Sequence, residues 1–249
     1  MERIAIISDI HGNLPALEAV LDDIKEKEIS RIICLGDMIG KGPSSLETLD
    51  ICRDVSDIVI MGNWEKFVSN NPNPGDINWI NELGQDRLEY IKNLPESIGF
   101  YLSGKYIRLF HAHPHNVFKR VFSNSKLEER LEMFDIPKIS RVDNVNCESD
   151  IVGYGDIHGA FIDTLIGGKT LFNVGSVGNP CDHITMASYV IIEGNYASKV
   201  LGNIGIQLCR VNYNIEKATM DAKDSNIPFK KEYIKELQTA IYCNERKKN

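Results

Sequence analysis

The chain predicts an α/β protein built on two sheets, and three observations carry that reading. The first 60 residues alternate apolar runs with helical patterns. Later segments pair as strands across glycine turns. Acidic, amide and imidazole residues fall just past one strand end after another. The period of the first part points to a parallel sheet, where ligands gather outside the carboxyl ends of the strands.

Ile4 to Ile7 is a continuous apolar run suited to a strand covered on both faces. Asn13 then opens a helix in which Leu14, Leu17, Val20, Leu21 and Ile24 recur at helical spacing. Arg31 to Leu35 repeats the buried strand, Leu46 to Cys52 reads as a second helix, and Asp57 to Met61 as a third strand ending at Gly62-Asn63. A loop is expected over 70–76, rich in Asn, Pro and Gly, and a helix over 77–93 closed by Pro95. Ile98 to Leu102, a Gly104-Lys105 turn and Tyr106 to Phe110 form a hairpin that delivers His111. The polar stretch 114–149, helical around Leu127 to Phe134, is read as an insertion over the site mouth. Ile151 and Val152 lead into Gly155-Asp156. Phe161 to Ile166 and Thr170 to Val174 pair across Gly167-Gly168. Strands near 187–192 and 207–213 and helices over 215–223 and 231–242 complete the chain.

With 249 residues, 43% hydrophobic and 25% charged, the chain can bury a core of ordinary size, and a single domain over 1–249 is expected. A formal charge of -7 leaves no basic surface to hold a nucleic-acid backbone, so long polyanions are poor substrates. The six cysteines form no Cys-x-x-Cys pair, which argues against structural zinc and for reduced thiols. Met1 to Ile10 runs straight into a strand pattern, and no apolar run approaches the roughly 20 residues of a membrane span. A cytoplasmic protein with no membrane partner is the expectation.

Five segments carry metal-ligand chemistry in one order: Asp9-x-His11, Gly36-Asp37, Gly62-Asn63, His111 and Gly155-Asp156-Ile157-His158. Singly, each has a plain alternative. An aspartate after a strand is a common helix cap or turn residue, Asn63 suits a turn, and a lone histidine is usually a satisfied surface group. The ordered set is far more specific, because five of the six histidines lie in or beside these motifs.

In these residues the chain resembles the calcineurin-like metallophosphoesterase superfamily, whose pattern is Asp-x-His, Gly-Asp, Gly-Asn, a lone His, then Gly-His-x-His. The likeness is greatest to the bacterial branch containing asymmetric diadenosine tetraphosphate hydrolases and related phosphodiesterases. The segment Asn173 to Pro180 also looks like that branch's Asn-Pro-Gly-Ser-x-Gly-x-Pro, with Val174 replacing Pro, so the resemblance spans roughly residues 3 to 213. It implies a four-layer α/β/β/α sandwich of two mixed sheets flanked by helices, and two divalent metal ions. By the same resemblance Asp37 bridges the ions. Asp9, His11 and His158 complete the first site, Asn63, His111 and Asp156 the second, and a metal-bridging hydroxide attacks phosphorus in line. Ser176 is given a structural role lining the site.

Two departures bear on the chemistry. Many relatives carry Gly-Asn-His, whose His protonates the leaving group, whereas here Trp64 follows Asn63, and indole has no acidic proton to give. The diadenosine tetraphosphate hydrolase branch shares that Trp, which favours low-pKa leaving groups. Trp64 is read as a packed indole before a base-stacking one, and His113 as a substitute acid. Lys41 is read as a solvated loop lysine before a contact to a distal phosphate. The second departure is Asp156, standing where the family has the first His of Gly-His-x-His. If that His binds through Nδ1, an Asp oxygen lies the same number of bonds from Cβ, but the shell's charge falls to about zero instead of +1. Oxygen-rich ligation favours Mn(II) or Fe(II), with Zn(II), Mg(II) or Ni(II) as further fits. The leading function is hydrolysis of a small phosphodiester or dinucleoside polyphosphate, with a nucleotide among the candidate substrates, by a monomer or homodimer. The alternatives are a protein serine/threonine phosphatase and a catalytically weak binding or scaffold protein.

Overall fold

Ile4 to Ile7 forms the centre of the first sheet, and its unbroken apolar character follows from burial on both faces. In the computed structural model, which describes residues 1–71, 78–143 and 145–243, strand β1 (Glu2–Ile7) pairs in parallel with β2 (Arg31–Cys34) and antiparallel with β9 (Ala187–Gly194). The sheet order is β10-β9-β1-β2-β3, with β3 at Ile58–Val59 and β10 at Gly205–Val211. The second sheet runs β4-β5-β6-β8-β7. Its strands are β4 (Ser97–Leu102), β5 (Lys105–Phe110), β6 (Ile151–Tyr154), β7 (Phe161–Leu165) and β8 (Lys169–Asn173). The parallel core β5-β6-β8 has an antiparallel strand on each edge, so both sheets are mixed.

Period-two alternation sorts β1 between two cores. Ile4 and Ile6 face the second sheet and pack with Ile33, Leu35, Ile98, Ile107, Leu109 and Phe172. Ala5 and Ile7 face outward, under α1 (Leu14–Glu26) and α2 (Ser45–Val55), which contribute Leu17, Val20, Ile24, Leu49 and Cys52. Each such fully buried aliphatic side chain stabilises the fold by about 1.5–3 kcal/mol. Helix α1 starts at Asn13, whose side-chain oxygen accepts the Ala16 N–H at 3.2 Å. Helices α7 (Ile215–Asp224) and α8 (Lys230–Thr239) join through Ala218, Ala222, Tyr233 and Leu237, and α7 lies against α1.

The described residues of 114–149 cover the outer face of the second sheet. Val121, Met133 and Phe134 pack on Phe110, Val152, Tyr154 and Leu171, and helix α6 spans Leu127–Glu132. The segment's far end is tied down by Arg108, which is wholly buried, 3.6 Å from Asp143, and donates to the carbonyls of Val145 and Cys147.

Several boundaries differ from the sequence expectation. The helix expected over 77–93 is two helices, α4 (Asn78–Glu82) and α5 (Gly84–Lys92), because Gly84 takes φ +72°, which breaks the helical run. Ile77 and most of the 70–76 loop lie outside the described residues. The hairpin turns at Ser103-Gly104, both at positive φ as a two-residue type I′ turn needs, one residue earlier than Gly104-Lys105. Helix α3 (Asn63–Asn70) was not foreseen. Among the described residues no helix is long and apolar enough to cross a membrane, and all six cysteines are free.

Candidate metal centre

The five motifs converge where the carboxyl ends of both sheets meet. From the first sheet, β1 delivers Asp9 and His11, β2 delivers Asp37, and β3 leads to Asn63 at the start of α3. The second sheet supplies His111 after β5, and Asp156 and His158 after β6. Five of these seven residues hold left-handed backbone: Asp9 (φ 56°), His11 (49°), Asp37 (53°), Asp156 (63°) and His158 (55°). A non-glycine residue there costs about 1 kcal/mol or more, and it persists only where its surroundings fix it. They do so here. Asp9 N–H donates to Gly36 O at 3.0 Å, His11 N–H to Asp37 O at 2.9 Å, and Gly155 N–H to His111 O at 2.8 Å. The glycines beside the ligands allow close approach: a Cβ on Gly62 would lie 2.2 Å from Asp37 Oδ1, and one on Gly155 2.5 Å from Asp9 Oδ2.

Each imidazole is oriented by a backbone carbonyl at Nδ1. Ile39 O lies 3.2 Å from His11, Leu35 O 2.8 Å from His111, and Asn179 O 2.5 Å from His158. The carbonyls can only accept, so each Nδ1 carries a proton and each Nε2 faces inward as the nitrogen available to an ion. These nitrogens meet carboxylates. Asp9 Oδ1 is 3.2 Å from His158 Nε2, 3.7 Å from His11 Nε2 and 3.9 Å from His111 Nε2. Asp37 Oδ2 stands 3.6 Å from His11 Nε2 and 3.4 Å from His111 Nε2, between the two imidazoles.

Two compact ligand groups result, Asp9–His11–His158 and Asp9–Asp37–His111, all buried. The donor set fits divalent cations. Asp9 Oδ1 and His111 Nε2 are buried with no hydrogen-bond partner, and the Nε2 atoms of His11 and His158 face each other at 3.1 Å. The buried charges make the same demand for positive charge. Burial and Lys41 both act to lower the His158 pKa, yet the Asp9 carboxylate pushes it up to about 10. Burial works to raise Asp9, but His158 and His111 hold it far below the usual carboxylate range. His11, desolvated and facing His158, is held well below the ordinary imidazole value.

Asn63 and Asp156 meet each other. The Asn63 amide donates to Asp156 Oδ1 at 2.7 Å, Asp156 N–H donates to Asp9 Oδ2 at 3.0 Å, and burial raises the Asp156 pKa. His113 is directed to the outer layer. Its Nε2 is 3.6 Å from Glu132 Oε2, its Nδ1 accepts the His115 N–H, and burial holds its pKa near 4, so the ring is neutral at pH 7. Trp64 packs its indole over Gly40 and edge-on to His11, with centroids 5.9 Å apart. Lys41 is mostly buried against Asn179 and Glu236 rather than solvated. Ser176 accepts the Asn179 N–H and donates to Asp9 O at 2.7 Å, lining the site from below the ligands.

Two residues escaped sequence reasoning. Glu65 is a buried carboxylate that accepts the N–H groups of Asp37 (2.7 Å), Met38 (2.9 Å) and Gly62 (3.0 Å), clamping two ligand loops together. Burial and the Asp37 charge raise its pKa to about 7. The sequence signal was its place two residues after Asn63. Arg120, 3.4 Å from Asp156 through its Nε, had no motif to reveal it.

Fold and ligand cluster together define a protein of the metallophosphoesterase type. The Calcineurin-like phosphoesterase superfamily domain matches residues 2–195, and the chain belongs to that superfamily of metal-dependent hydrolases of phosphoric esters. It is 29% identical to the uncharacterized protein MJ0912 of Methanocaldococcus jannaschii over 251 residues, covering 90% of this chain and 93% of that one. The crystal structure of a metallophosphoesterase from Sphaerobacter thermophilus superposes with a TM-score of 0.73 at 22% identity, covering 96% of this chain and 99% of that chain. A hypothetical protein from Pyrococcus horikoshii OT3, PH1004, gives 0.75 at 19% identity, covering 98% and 100%. At such identities the two structures establish a shared fold.

Proposed function

We propose that the protein is a binuclear phosphoesterase that hydrolyses a small phosphodiester or dinucleoside polyphosphate, in the manner of the bacterial phosphodiesterase and diadenosine tetraphosphate hydrolase branch. One observation carries the reading: three imidazole Nε2 atoms and the carboxylates of Asp9 and Asp37 converge in a buried centre. Divalent ions held there would supply Lewis acidity toward phosphoryl oxygens and acidify a water. The protein's own residues set the geometry. Ile39, Leu35 and Asn179 fix the imidazole tautomers through their carbonyls, and Glu65 holds the Asp37 loop against the Gly62-Asn63 turn. Asp37, between His11 and His111, and Asp9, common to the two ligand groups, are the residues we assign to both ions.

Neither of the two residues weighed as the leaving-group acid can fill that role. Trp64 cannot serve, and His113 is neutral and turned to Glu132. A substrate whose leaving oxygen has a low pKa, such as a nucleoside phosphate or an aryl oxide, departs without that help. Carboxylate-rich ligation favours Mn(II) or Fe(II). The test is elemental analysis of purified protein with hydrolysis of bis-p-nitrophenyl phosphate in Mn(II), Zn(II) or Mg(II). Two ions per chain and Mn-stimulated turnover are expected. Absence of turnover under every ion would refute the proposal, and diadenosine tetraphosphate as a second substrate tests the branch.

A further inference from the structure

Asp156 is where this chain departs from the family pattern, and the structure pairs it with a cation from outside every ligand motif. Arg120 Nε stands 3.4 Å from Asp156 Oδ2, while Asn63 occupies Oδ1 at 2.7 Å. The Asp156 side chain is fully buried, whereas that of Arg120 is 44% exposed. Arg120 therefore spans from the cluster to solvent. It is also braced, with its guanidinium carbon 5.9 Å from the Tyr242 ring centroid. Lys41, the neighbouring cation, is only 18% exposed and committed to Glu236 and Asn179. Arg120 is thus the more accessible positive charge beside the ligands.

Replacing a neutral imidazole by a carboxylate adds one negative charge to a site that must attract an anion. A guanidinium on that carboxylate returns the charge, and its planar fork carries five N–H donors, more than its contacts to Asp156 and Tyr242 use. We propose that Asp156 and Arg120 work as a pair, in which Asp156 positions Arg120 at the rim and Arg120 anchors a non-bridging phosphoryl oxygen of the substrate. This rests on the phosphoesterase reading and adds to it a substrate-anchoring residue. A phosphodiester or polyphosphate anion, carrying paired non-bridging oxygens, matches the fork.

The experiment is calorimetric titration of inorganic phosphate into Mn(II)-loaded protein, which needs no turnover. Arg120→Met is expected to weaken phosphate binding by about 10-fold or more with unchanged Mn(II) stoichiometry. Arg120→Lys should recover only part, because an ammonium lacks the fork. In an Asp156→His background the Arg120→Met loss should shrink, a non-additivity expected of a coupled pair. Wild-type phosphate affinity in Arg120→Met, strictly additive losses, or no phosphate binding by the wild type would overturn the proposal. Phosphate binding that depends on Arg120 in a protein that turns over no ester would sustain the Arg120 assignment while removing the phosphoesterase reading.

Discussion

The two ligand groups share Asp9 but differ in how their remaining members are engaged. On one side the Nε2 atoms of His11 and His158 face each other at 3.1 Å beside Asp9, held together by a proton that a divalent ion can displace. On the other, Asp37 and His111 are similarly placed, but Asn63 and Asp156, assigned by resemblance to the same ion, are hydrogen-bonded to each other, and Asp156 also pairs with Arg120. The first group is poised for an ion as it stands. The second must first break the hydrogen bond between Asn63 and Asp156, so the two sites should differ in affinity.

Removing the shared ligand breaks both halves at once. Asp9→Ala should weaken both ions by more than about 100-fold, beyond the range seen when only a supporting group is lost. Competition with a chelator, read by metal content, checks this. Retention of one tight ion would show that the groups are independent.

Glu65 supports the Asp37 side of the comparison, so Glu65→Ala should act unequally. It strands three buried N–H groups, and a loss of about 2–3 kcal/mol of folding stability is expected in urea melts of metal-free protein. In the metal-loaded protein its weaker binding step should suffer more than the tighter one.

Titration of apo protein with Mn(II) should show two steps separated by roughly 10-fold or more. His158→Ala is expected to erase the tighter step and His111→Ala the weaker. Equal steps, or the reverse assignment, would break the asymmetry.

The smallest effect concerns the wall beside the centre. His113, with its pKa lowered to about 4, is neutral in the fold and charged more readily when unfolded. Its depressed value contributes stability above the ordinary imidazole pKa of 6.5, lost as pH falls toward 4. In chelator-treated protein, the stability advantage of wild type over His113→Gln should shrink from pH 7 to pH 4.5. An NMR titration with an apparent pKa near 6.5 would restore His113 as a proton donor.

Much of this architecture was legible because its signals are local. The Ile4–Ile7 run, the Asn13 cap and the two glycine hairpins each declare their structure within a few residues, and Asp9, His11, Asp37, His111 and His158 stand at the strand ends those patterns define. What stayed hidden depends on contacts between distant segments. Arg120 meets Asp156 only because the outer layer folds back over the second sheet. The partners of His113 and Lys41, Glu132 and Glu236, also come from other segments of the chain. The break at Gly84 turned on one positive φ inside an otherwise helical pattern.

The left-handed backbone at Asp9, His11, Asp37, Asp156 and His158 bears on how the protein can be engineered. A library screened for thermal stability alone would reward glycine at those five positions, since glycine takes that backbone with no Cβ penalty. The most stabilised clones would be those that had discarded the cluster, so any selection for a sturdier variant has to be run with metal retention as a second criterion.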